Sequence, residues 1–491
     1  MLNEWFLILA VLFPILTAAA ILVFPFKARA HMEVYIELIV ILTSVLVFLL
    51  LLRRPEELVF LRFSEKAAFV LKLDGLGMVF AGLIAVLWPI AVLYSFEYMS
   101  TEEREQPFFM FYTMTYGITL GIACAGNLLT MYFFYELLTL ATIPLVIHPF
   151  SRDAVLATRK YIYFSMGGAA LGFMAVVFVL RFGEGTGFTL GGILGTEALG
   201  LGMNILLLIY VAAFLGFSIK AAMFPFYSWL PDAGVAPTPV TALLHAVAVV
   251  KAGAFAVIRL TYYCFGTELL IGTWAQKVVM GLAMFTIVFG CSMAVKETHI
   301  KRRLAYSTVS NLSYIIFGAA MMTPMGLFGA LCHMVFHAVM KISAFFCSGA
   351  VMHQTGVHYI HKTTGFGKKM PWVYGAFFVS GLGLMGVPGT CGFVSKWYLA
   401  QAALESGNIM AVAGVGCLLV SALLTAIYMM TMMVRGFFPE KDFDMGSIEE
   451  VKDPGWQMIV PLMLFSIAIV ILGAYSEPLR GFMESVVRGI Y

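Results

Sequence analysis

The amino-acid sequence predicts an all-α polytopic membrane protein with about 14 transmembrane helices. Of its 491 residues, 61% are hydrophobic and only 12% are charged, whereas a soluble domain is about 25% charged and about 45–50% apolar. One water-soluble core of this size cannot hide so much apolar surface. Apolar runs of the roughly 20 residues that cross a bilayer recur about every 35 residues. The composition therefore excludes a soluble enzyme, a disordered protein and a disulfide scaffold.

The apolar runs define the predicted spans. They are too long and too uniformly apolar for barrel strands, and only helices or closed barrels satisfy the backbone inside lipid. The first run lacks a basic segment before it and a cleavage site after it, so we expect a retained helix and not a signal peptide. The predicted spans are 4–24, 32–52, 74–96, 108–126, 128–147, 158–181, 203–229, 238–260, 273–294, 303–322, 325–354, 371–403, 409–434 and 456–475.

Lysine and arginine are distributed unequally between the loops. The odd-numbered loops hold about twice as many as the even-numbered loops and the C-terminus together. Because basic loops stay in the cytoplasm, we expect a multi-pass protein of a prokaryotic cell (inner) membrane with both termini outside. No loop is long enough for a domain of about 50 residues, so any chemistry lies inside the bilayer or on partner subunits.

The seventh and twelfth spans contain residues that interrupt helices: Pro225, Pro231 and Pro237 in or after the seventh, and Pro388 and Gly389 in the twelfth. Paired interruptions at membrane depth indicate an internal repeat and transport. Helices 7 and 12 should be discontinuous. They are five helices apart, an odd number, so the two copies would cross the membrane in opposite senses. We expect N-terminal helices 1–3 in residues 1–107, inverted five-helix repeats of helices 4–8 in 108–260 and helices 9–13 in 273–434, and helix 14 in 435–491.

Two ionisable residues of the first repeat form a predicted pair. A charge near the bilayer centre costs at least about 2.5–3.5 kcal/mol, so it indicates a function. Glu136 is the only charge in its span, and Lys220 precedes the first break. Pairing favours the charged form of each, whereas separation favours the neutral amine, so Lys220 could load and release a proton. A fixed ion pair that joins two helices is the alternative.

A second group of ionisable residues follows in the chain. His333, His337 and Lys341 are spaced i, i+4, i+8 and share one stripe of a helix, which is typical of a proton relay. Zinc or haem ligation is the alternative for the histidines, although no sequence neighbour completes a zinc site. Lys251 follows His245 by six residues, or about 240° around a helix, so the two would bracket a water chain from different faces. A histidine packed in the core is the alternative for His245.

The remaining charges within or near spans carry weaker signals. Lys396 ends the broken twelfth span and could face the outer exit of a half-channel. Lys160, at the start of the sixth span, is either a relay member or a boundary charge. Arg259 lies near a span end, from which its side chain could snorkel to the membrane surface. Asp74 and Asp232 are expected to be solvated or helix-capping carboxylates.

Nothing in the sequence indicates a cofactor or a metal. The seven cysteines are scattered through apolar spans without a CxxC pair, and we expect them to be small buried residues. Nucleotide-binding and HExxH motifs are absent from the sequence. We therefore expect no cofactor, no metal and no nucleic acid as a partner.

A family resemblance is carried by four stretches: GFSIKAAMFPFYSWLPDAGVAPTPVTALLHAVAVVKAGAFAVIR, KRRLAYSTVSNLSYIIFG, HMVFHAVMKISAFFCSGAV and GLMGVPGTCGFVSKW. They resemble the signature of the antiporter-like subunits shared by Mrp-type cation/proton antiporters, membrane-bound hydrogenases and respiratory complex I. The resemblance implies 14 helices with two inverted five-helix repeats. It also implies a proton pathway through Glu136, Lys220, Lys251, Lys160, the His333–His337–Lys341 stripe and Lys396, with His245 matching a histidine of some members only.

The resemblance implies the function as well. A lysine at position 396 looks more like the Mrp D-type or hydrogenase-linked subunits. We expect a proton-translocating antiporter-like subunit of a multi-subunit membrane complex that is not catalytic alone. Its partners would be other membrane subunits, with a hydrogenase or quinone-reductase module and the ions H⁺ and Na⁺ as candidates. The alternatives are a proton-pumping membrane subunit of complex I (NADH:quinone oxidoreductase) and, more remotely, a stand-alone secondary carrier.

Overall fold

The computed structural model describes residues 4–440 and 442–490, and these are mostly helical. Within these ranges, ten helical segments are long and apolar enough to cross a membrane, which confirms a polytopic helical membrane protein. They are Trp5–Val23, Arg29–Arg53, Gly75–Met99, Leu128–Val146, Arg152–Phe182, Thr238–Phe265, Trp274–Lys296, Pro324–Thr355, Ile409–Phe437 and Trp456–Ala474.

The helices and strands follow one another along the chain with short connections. The helices are α1 (Trp5–Val23), α2 (Arg29–Arg53), α3 (Gly75–Met99), α4 (Glu105–Ala123), α5 (Leu128–Val146), α6 (Arg152–Phe182), α7 (Thr196–Gly200), α8 (Met203–Ser218), α9 (Trp229–Asp232), α10 (Thr238–Ala246), α11 (Val249–Ile258), α12 (Thr267–Leu270), α13 (Trp274–Lys296), α14 (Ile300–Ala320), α15 (Pro324–Thr355), α16 (Phe366–Lys369), α17 (Pro371–Met385), α18 (Cys391–Glu405), α19 (Ile409–Phe437), α20 (Trp456–Ala474) and α21 (Glu477–Val487). A π-helix, Arg259–Phe265, continues α11, and 3₁₀-helices lie at Ala233–Val235, Ile360–Lys362 and Met445–Ile448.

The helices differ in how much of their surface the protein covers. The most apolar stretches of α15 and of segment Thr238–Phe265 are fully buried, whereas α1, α19 and α20 bury only about a third or less of theirs. The exposed apolar side chains of the outer helices, such as Leu16 and Leu419, suit contact with lipid tails. The lysines and histidines of the inner helices are therefore enclosed by protein.

Polar side chains cap the start of several helices, because the first N–H groups of a helix have no partner within it. The Asp74 carboxylate accepts from the Gly77 N–H at 2.9 Å at the start of α3, and Asn127 Oδ1 accepts from the Thr130 N–H at 2.8 Å at the start of α5. The interpretation of Asp74 as a capping carboxylate thus agrees with the structure.

A short β-hairpin between α2 and α3 departs from the all-α prediction. Strands β1 (Leu58–Arg62) and β2 (Ala68–Leu71) pair antiparallel. Thr130 Oγ1 accepts from the Val70 N–H at 2.8 Å and holds the hairpin on the start of α5. The two strands are rich in branched and aromatic residues, which favour an extended backbone, but they are too short to stand out among long apolar runs.

The chain is interrupted at three places within predicted spans. Helix α8 ends at Ser218, before Lys220, and the gap between α17 and α18 contains Pro388 and Gly389. The third interruption corrects the prediction of one helix over 238–260, because α10 ends at Ala246 and α11 begins at Val249. His245 and Lys251 therefore lie on different helices. The predicted angle of about 240° between them does not apply, because it assumed one continuous helix. Neither Pro nor Gly marks that kink in the sequence.

Candidate functional site

Lys220 and Glu136 lie next to each other at the break after α8. The Lys220 side chain is 2% exposed and its Nζ lies 3.6 Å from Glu136 Oε1. Nζ also donates a hydrogen bond to the Tyr135 carbonyl and lies 3.4 Å from the centroid of the Tyr135 ring. Glu136 Oε1 is buried and makes no hydrogen bond within the described residues. The carboxylate therefore holds the amine by charge alone, while a neutral carbonyl provides the hydrogen bond.

The break also brings Lys220 close to α11. A Cβ on Gly253 would lie 2.5 Å from the Ala221 backbone nitrogen, so only glycine permits this close approach. Lys251 lies on the same helix, two residues before Gly253. The packing of α11 against the break thus places the two lysines on adjoining backbone segments.

Lys251 meets the histidine stripe of α15. Its Nζ lies 2.5 Å from His337 Nδ1, and both side chains are fully buried. The His337 and His333 rings stack with centroids 5.7 Å apart. His333 Nδ1 in turn lies 2.9 Å from Ser395 Oγ on α18. The predicted stripe on α15 therefore joins α11 to the helix that carries Lys396.

Lys396 reaches back across the break between α17 and α18. Its Nζ donates to the carbonyls of Leu384 and Met385, at 2.6 and 3.1 Å. These carbonyls end α17, where the helix dipole favours a positive charge. Gly386, with φ +86°, makes room for this reach, because a Cβ there would lie 2.9 Å from Lys396 Cδ. The last backbone carbonyls of α17 thus stabilise the amine where a carboxylate would otherwise be needed.

A polar stripe on α14 was not predicted from the sequence. Ser307, Asn311 and Tyr314 are spaced i, i+4, i+7 and so share one face of the helix. Lys341 Nζ donates to Ser307 Oγ at 2.7 Å, and the Tyr314 and His333 rings stack at 5.0 Å. The spacing is visible in KRRLAYSTVSNLSYIIFG, but hydroxyl and amide groups gave no signal as strong as a buried charge.

Behind Ser307, further hydroxyl groups extend the polar contacts from α14 to α19. Ser307 Oγ lies 2.5 Å from the Tyr428 hydroxyl, which donates to Thr425 Oγ1 at 3.2 Å. Thr425 donates to the Ser421 carbonyl at 2.7 Å. Lys341 is therefore linked by hydrogen bonds to a helix whose other side is exposed.

His245 and Lys160 lie outside this set of direct contacts. Both ring nitrogens of His245 are buried without a hydrogen-bond partner in the part of the chain that the structure describes, and its ring lies 4.7 Å from that of Phe345 on α15. Lys160 Nζ pairs with Asp232 at 2.7 Å, and Asp232 also pairs with Arg302 at 3.3 Å. These three residues line an open cavity of about 660 Å³.

The residues expected to interrupt helices take different places. Pro225 lies in the turns after α8, Pro231 is inside the short α9, and Pro237 is the N-cap of α10. Pro388 and Gly389 lie between α17 and α18, and Gly389 has φ +91°.

The expectation that Arg259 snorkels to the surface is wrong. Its side chain is fully buried and forms two hydrogen bonds with Asp74, of 2.5 and 2.6 Å. The rings of Phe188, Phe255 and Tyr263 lie within 4.9 Å of the guanidinium. A carboxylate and aromatic faces compensate for the lost hydration of the guanidinium. The sequence does not reveal this pairing, because residues 74 and 259 are far apart in the chain.

Comparisons with known proteins agree with this arrangement. Residues 125–430 match the family model described as NADH:quinone oxidoreductase/Mrp antiporter, TM. The chain is 32% identical over 408 residues to NADH-quinone oxidoreductase subunit N of Desulforudis audaxviator, covering 80% of each chain. It is 30% identical over 430 residues to one subunit of the Na(+)/H(+) antiporter of Alkalihalophilus pseudofirmus, covering 82% of this chain and 52% of that longer one.

Two solved structures share the fold. A chain of the Mrp complex from Dietzia sp. matches with a TM-score of 0.85 at 19% identity, covering 100% of this chain and 98% of that one. A chain of the membrane-bound sulfane sulfur reductase, described as an archaeal respiratory membrane complex, matches with a TM-score of 0.84 at 21% identity, covering 99% and 97%.

Proposed function

Because the chain belongs to the NADH:quinone oxidoreductase/Mrp antiporter family of transmembrane proteins, we propose that it translocates protons through its buried lysines and histidines within a multi-subunit membrane complex. The observation that carries this proposal is the 2.5 Å contact between Lys251 Nζ and His337 Nδ1. Two titratable groups in hydrogen-bond contact, both out of water, can exchange a proton directly.

The proposed pathway loads at the break after α8. Lys220 holds a proton while Glu136 stays close, and it releases the proton when the carboxylate moves away or becomes neutral, because a buried amine without a counter-charge favours its neutral form. The 3.6 Å separation and the missing hydrogen bond on Glu136 Oε1 support a carboxylate that can move. Lys160, at the charged cavity beside Asp232, is the proposed supply of protons to this end.

From Lys220 the proton passes to Lys251, then to His337 and His333. His245 would contribute through a bound water, since it has no direct partner among the described residues. Lys341 adjusts the charge on the stripe through its bond to Ser307. Lys396 is the proposed release site, and the Tyr314 ring lies between it and His333, 5.4 Å from Lys396 Nζ and stacked on the imidazole.

The proposed architecture has about 14 crossings, counting the ten long apolar helices with α4, α8, α14 and the α17–α18 pair. In this proposal the helices of 108–260 and 273–434 are inverted repeats between N-terminal helices in 1–107 and a last helix in 435–491, with both termini outside. The support is that each broken helix places a lysine beside its break, Lys220 in one copy and Lys396 in the other. Each of these amines donates to backbone carbonyls.

The experiment uses the assembled complex in liposomes with a pH-sensitive dye inside. Lys220→Ala and Glu136→Ala should abolish proton movement while the complex still assembles, because each removes one half of the loading pair. Lys277→Ala is a matched control, because Lys277 lies on α13 away from this pair. Unchanged proton movement in either of the first two variants would contradict the proposal.

A complex I role is the second candidate. The similarity to NADH-quinone oxidoreductase subunit N over 80% of both chains favours it, whereas Lys396 favours an Mrp-type or hydrogenase-linked role. The subunits that co-purify with the chain decide between them: quinone-reductase subunits support the first and hydrogenase or small antiporter subunits the second. Dependence of proton movement on Na⁺ would add Na⁺ as a transported ion.

A further inference from the structure

A polar cavity of about 610 Å³ lies at one membrane face, next to the buried pair of Arg259 and Asp74. Segments that follow α2, α6 and α21 and the segment that precedes α3 line it, with exposed charged side chains such as Glu56 and Lys72. Lys160 lies near the start of α6, whereas the cavity is lined by residues just past the end of α6. The cavity is therefore at the membrane face opposite to Lys160, which the topology proposed above puts outside.

Arg259 lies directly beneath this cavity. Asp74 and Tyr263 line the cavity, and both contact the guanidinium. The carboxylate accepts hydrogen bonds of 2.5 and 2.6 Å, and the centroid of the Tyr263 ring is 4.7 Å away. The Asp74 side chain is 14% exposed, whereas that of Arg259 is fully buried. The carboxylate thus stands between the cavity and the guanidinium.

Little more than two helical turns separate Arg259 from Lys251. Lys251, Phe255 and Arg259 are spaced i, i+4, i+8 and so follow one side of α11 over a rise of about 12 Å. The Phe255 ring is fully buried, lies 4.9 Å from the guanidinium, and stacks on Phe80 of α3 with the centroids 5.0 Å apart. The other residues from 252 to 258 are buried and apolar. An aromatic ring and an arginine therefore separate the cavity from Lys251 along this side of the helix.

A connection between the cavity and Lys251 would work against the proposed function. In that proposal protons enter at Lys220, pass Lys251 and leave at Lys396. If water from the outer face reached Lys251, protons would return to the histidine stripe without any driving step. A membrane complex that maintains a proton gradient needs a seal at this place.

The chemistry of the two side chains suits such a seal. The Phe255 ring offers no site at which a proton can be bound. An arginine keeps its proton at physiological pH and has no acceptor atom, so it neither releases a proton nor takes one up. Asp74 and the surrounding rings compensate for burial of the guanidinium charge and hold it in place.

We propose that Phe255 and Arg259 form a barrier that stops protons from passing between the cavity beside Asp74 and Lys251. The barrier keeps the outer face separated from the buried bases everywhere except at the release site. This inference rests on the proposed function, because it takes Lys251 as a member of the proton pathway.

The test measures passive proton leak into liposomes that contain the assembled complex. A pH gradient is imposed in buffer free of Na⁺ and of redox substrates, with a membrane-permeant anion to balance the charge. Phe255→Ala should raise the leak about tenfold or more, because the space that it leaves borders the guanidinium and is polar enough to admit water. Arg259→His should raise it as well, because an imidazole can pair with Asp74 and can also release its proton near neutral pH.

Phe109→Ala is the matched control for the loss of a buried ring. Phe109 is fully buried near the start of α4 and packs against Phe96, near the end of α3, with the ring centroids 5.2 Å apart. The cavity lies at the start of α3, so Phe109 is near the opposite membrane face. Its leak should equal that of the wild type.

A second mutation separates a leak along this route from a protein that has merely loosened. Lys251→Gln, added to Phe255→Ala, should return the leak to the wild-type level, because glutamine does not take up a proton. A wild-type leak in either Phe255→Ala or Arg259→His would overturn the proposal. So would a leak that Lys251→Gln leaves unchanged, or an equal rise in Phe109→Ala. Failure of the proposed function would show separately, as driven proton movement that persists in Lys220→Ala.

Discussion

Lys251 Nζ and His337 Nδ1 lie 2.5 Å apart, although 86 positions separate the two residues in the sequence. The contact joins α11 to α15 in a part of the protein where both helices are fully buried. Each group can hold a proton, and within the described part of the chain neither forms an ion pair with a carboxylate. A proton at this contact is therefore shared by an amine and an imidazole, with no carboxylate to fix it in place.

Replacing His337 should separate hydrogen bonding from proton transfer. The Gln side chain of His337→Gln can still accept a bond from Lys251, but it cannot bind a proton in the physiological range. We expect the complex to assemble and proton movement into liposomes to cease. His353→Gln, at the end of the same helix, should retain wild-type movement; a wild-type rate in His337→Gln would show that protons bypass this contact.

Loss of the Ser307 hydroxyl should slow proton transport without abolishing it. Ser307→Ala removes a hydrogen bond to the Lys341 amine, and bonds to charged groups are worth about 1.5–3 kcal/mol. We expect proton movement to slow by about tenfold or more. Ser313→Ala is the control on the same helix, because the Ser313 hydroxyl donates to the Val309 carbonyl one turn earlier. Equal rates in the two variants would exclude Ser307 from the pathway.

The buried pair of Arg259 and Asp74 should matter for stability. Arg259→Met leaves the Asp74 carboxylate without its buried partner, and breaking such a pair costs about 3–5 kcal/mol. Thermal unfolding in detergent should shift to clearly lower temperature. The double variant Arg259→Met/Asp74→Asn should recover part of the loss, since Asn keeps the cap of α3 and removes the charge. A single variant as stable as the wild type would contradict this account.

His299, at the N-terminal end of α14 outside the membrane, should make stability depend on pH. Burial, with the neighbouring His358 and Lys301, lowers the pKa of His299 to about 4. Between the ordinary pKa of about 6.5 and 4, the unfolded chain binds a proton that the folded chain does not, so stability falls as pH decreases. His299→Gln should weaken the fall in unfolding temperature between pH 7 and pH 5. An unchanged slope would mean that other groups cause it.

The sequence was informative where charge and spacing carry the signal. The helical stripe of His333, His337 and Lys341 and the pairing of Glu136 with Lys220 follow from i, i+4 periodicity and from the cost of a lone charge in lipid. The kink between α10 and α11 gave no such signal, because neither Pro nor Gly occurs between His245 and Lys251. It arises from tertiary packing, which local sequence does not encode.

The contacts between distant segments were also beyond the sequence. Arg259 was assigned to the surface because its distance from Asp74 was unknown. The role of Ser307 was hidden because hydroxyl groups are common in membrane helices and become informative only when a partner such as Lys341 is placed beside them. The hairpin of β1 and β2 was obscured by the surrounding apolar runs.

The two ends of the proposed pathway differ in what an emptied amine leaves behind. Once Glu136 returns as an anion, the empty Lys220 amine has a carboxylate beside it, whereas the empty Lys396 amine has only the carbonyl dipoles of Leu384 and Met385. The empty Lys220 site therefore carries a negative charge that attracts the next proton. The empty Lys396 site is neutral and does not attract the released proton back. Such an asymmetry would favour proton movement in one direction along a row of similar bases.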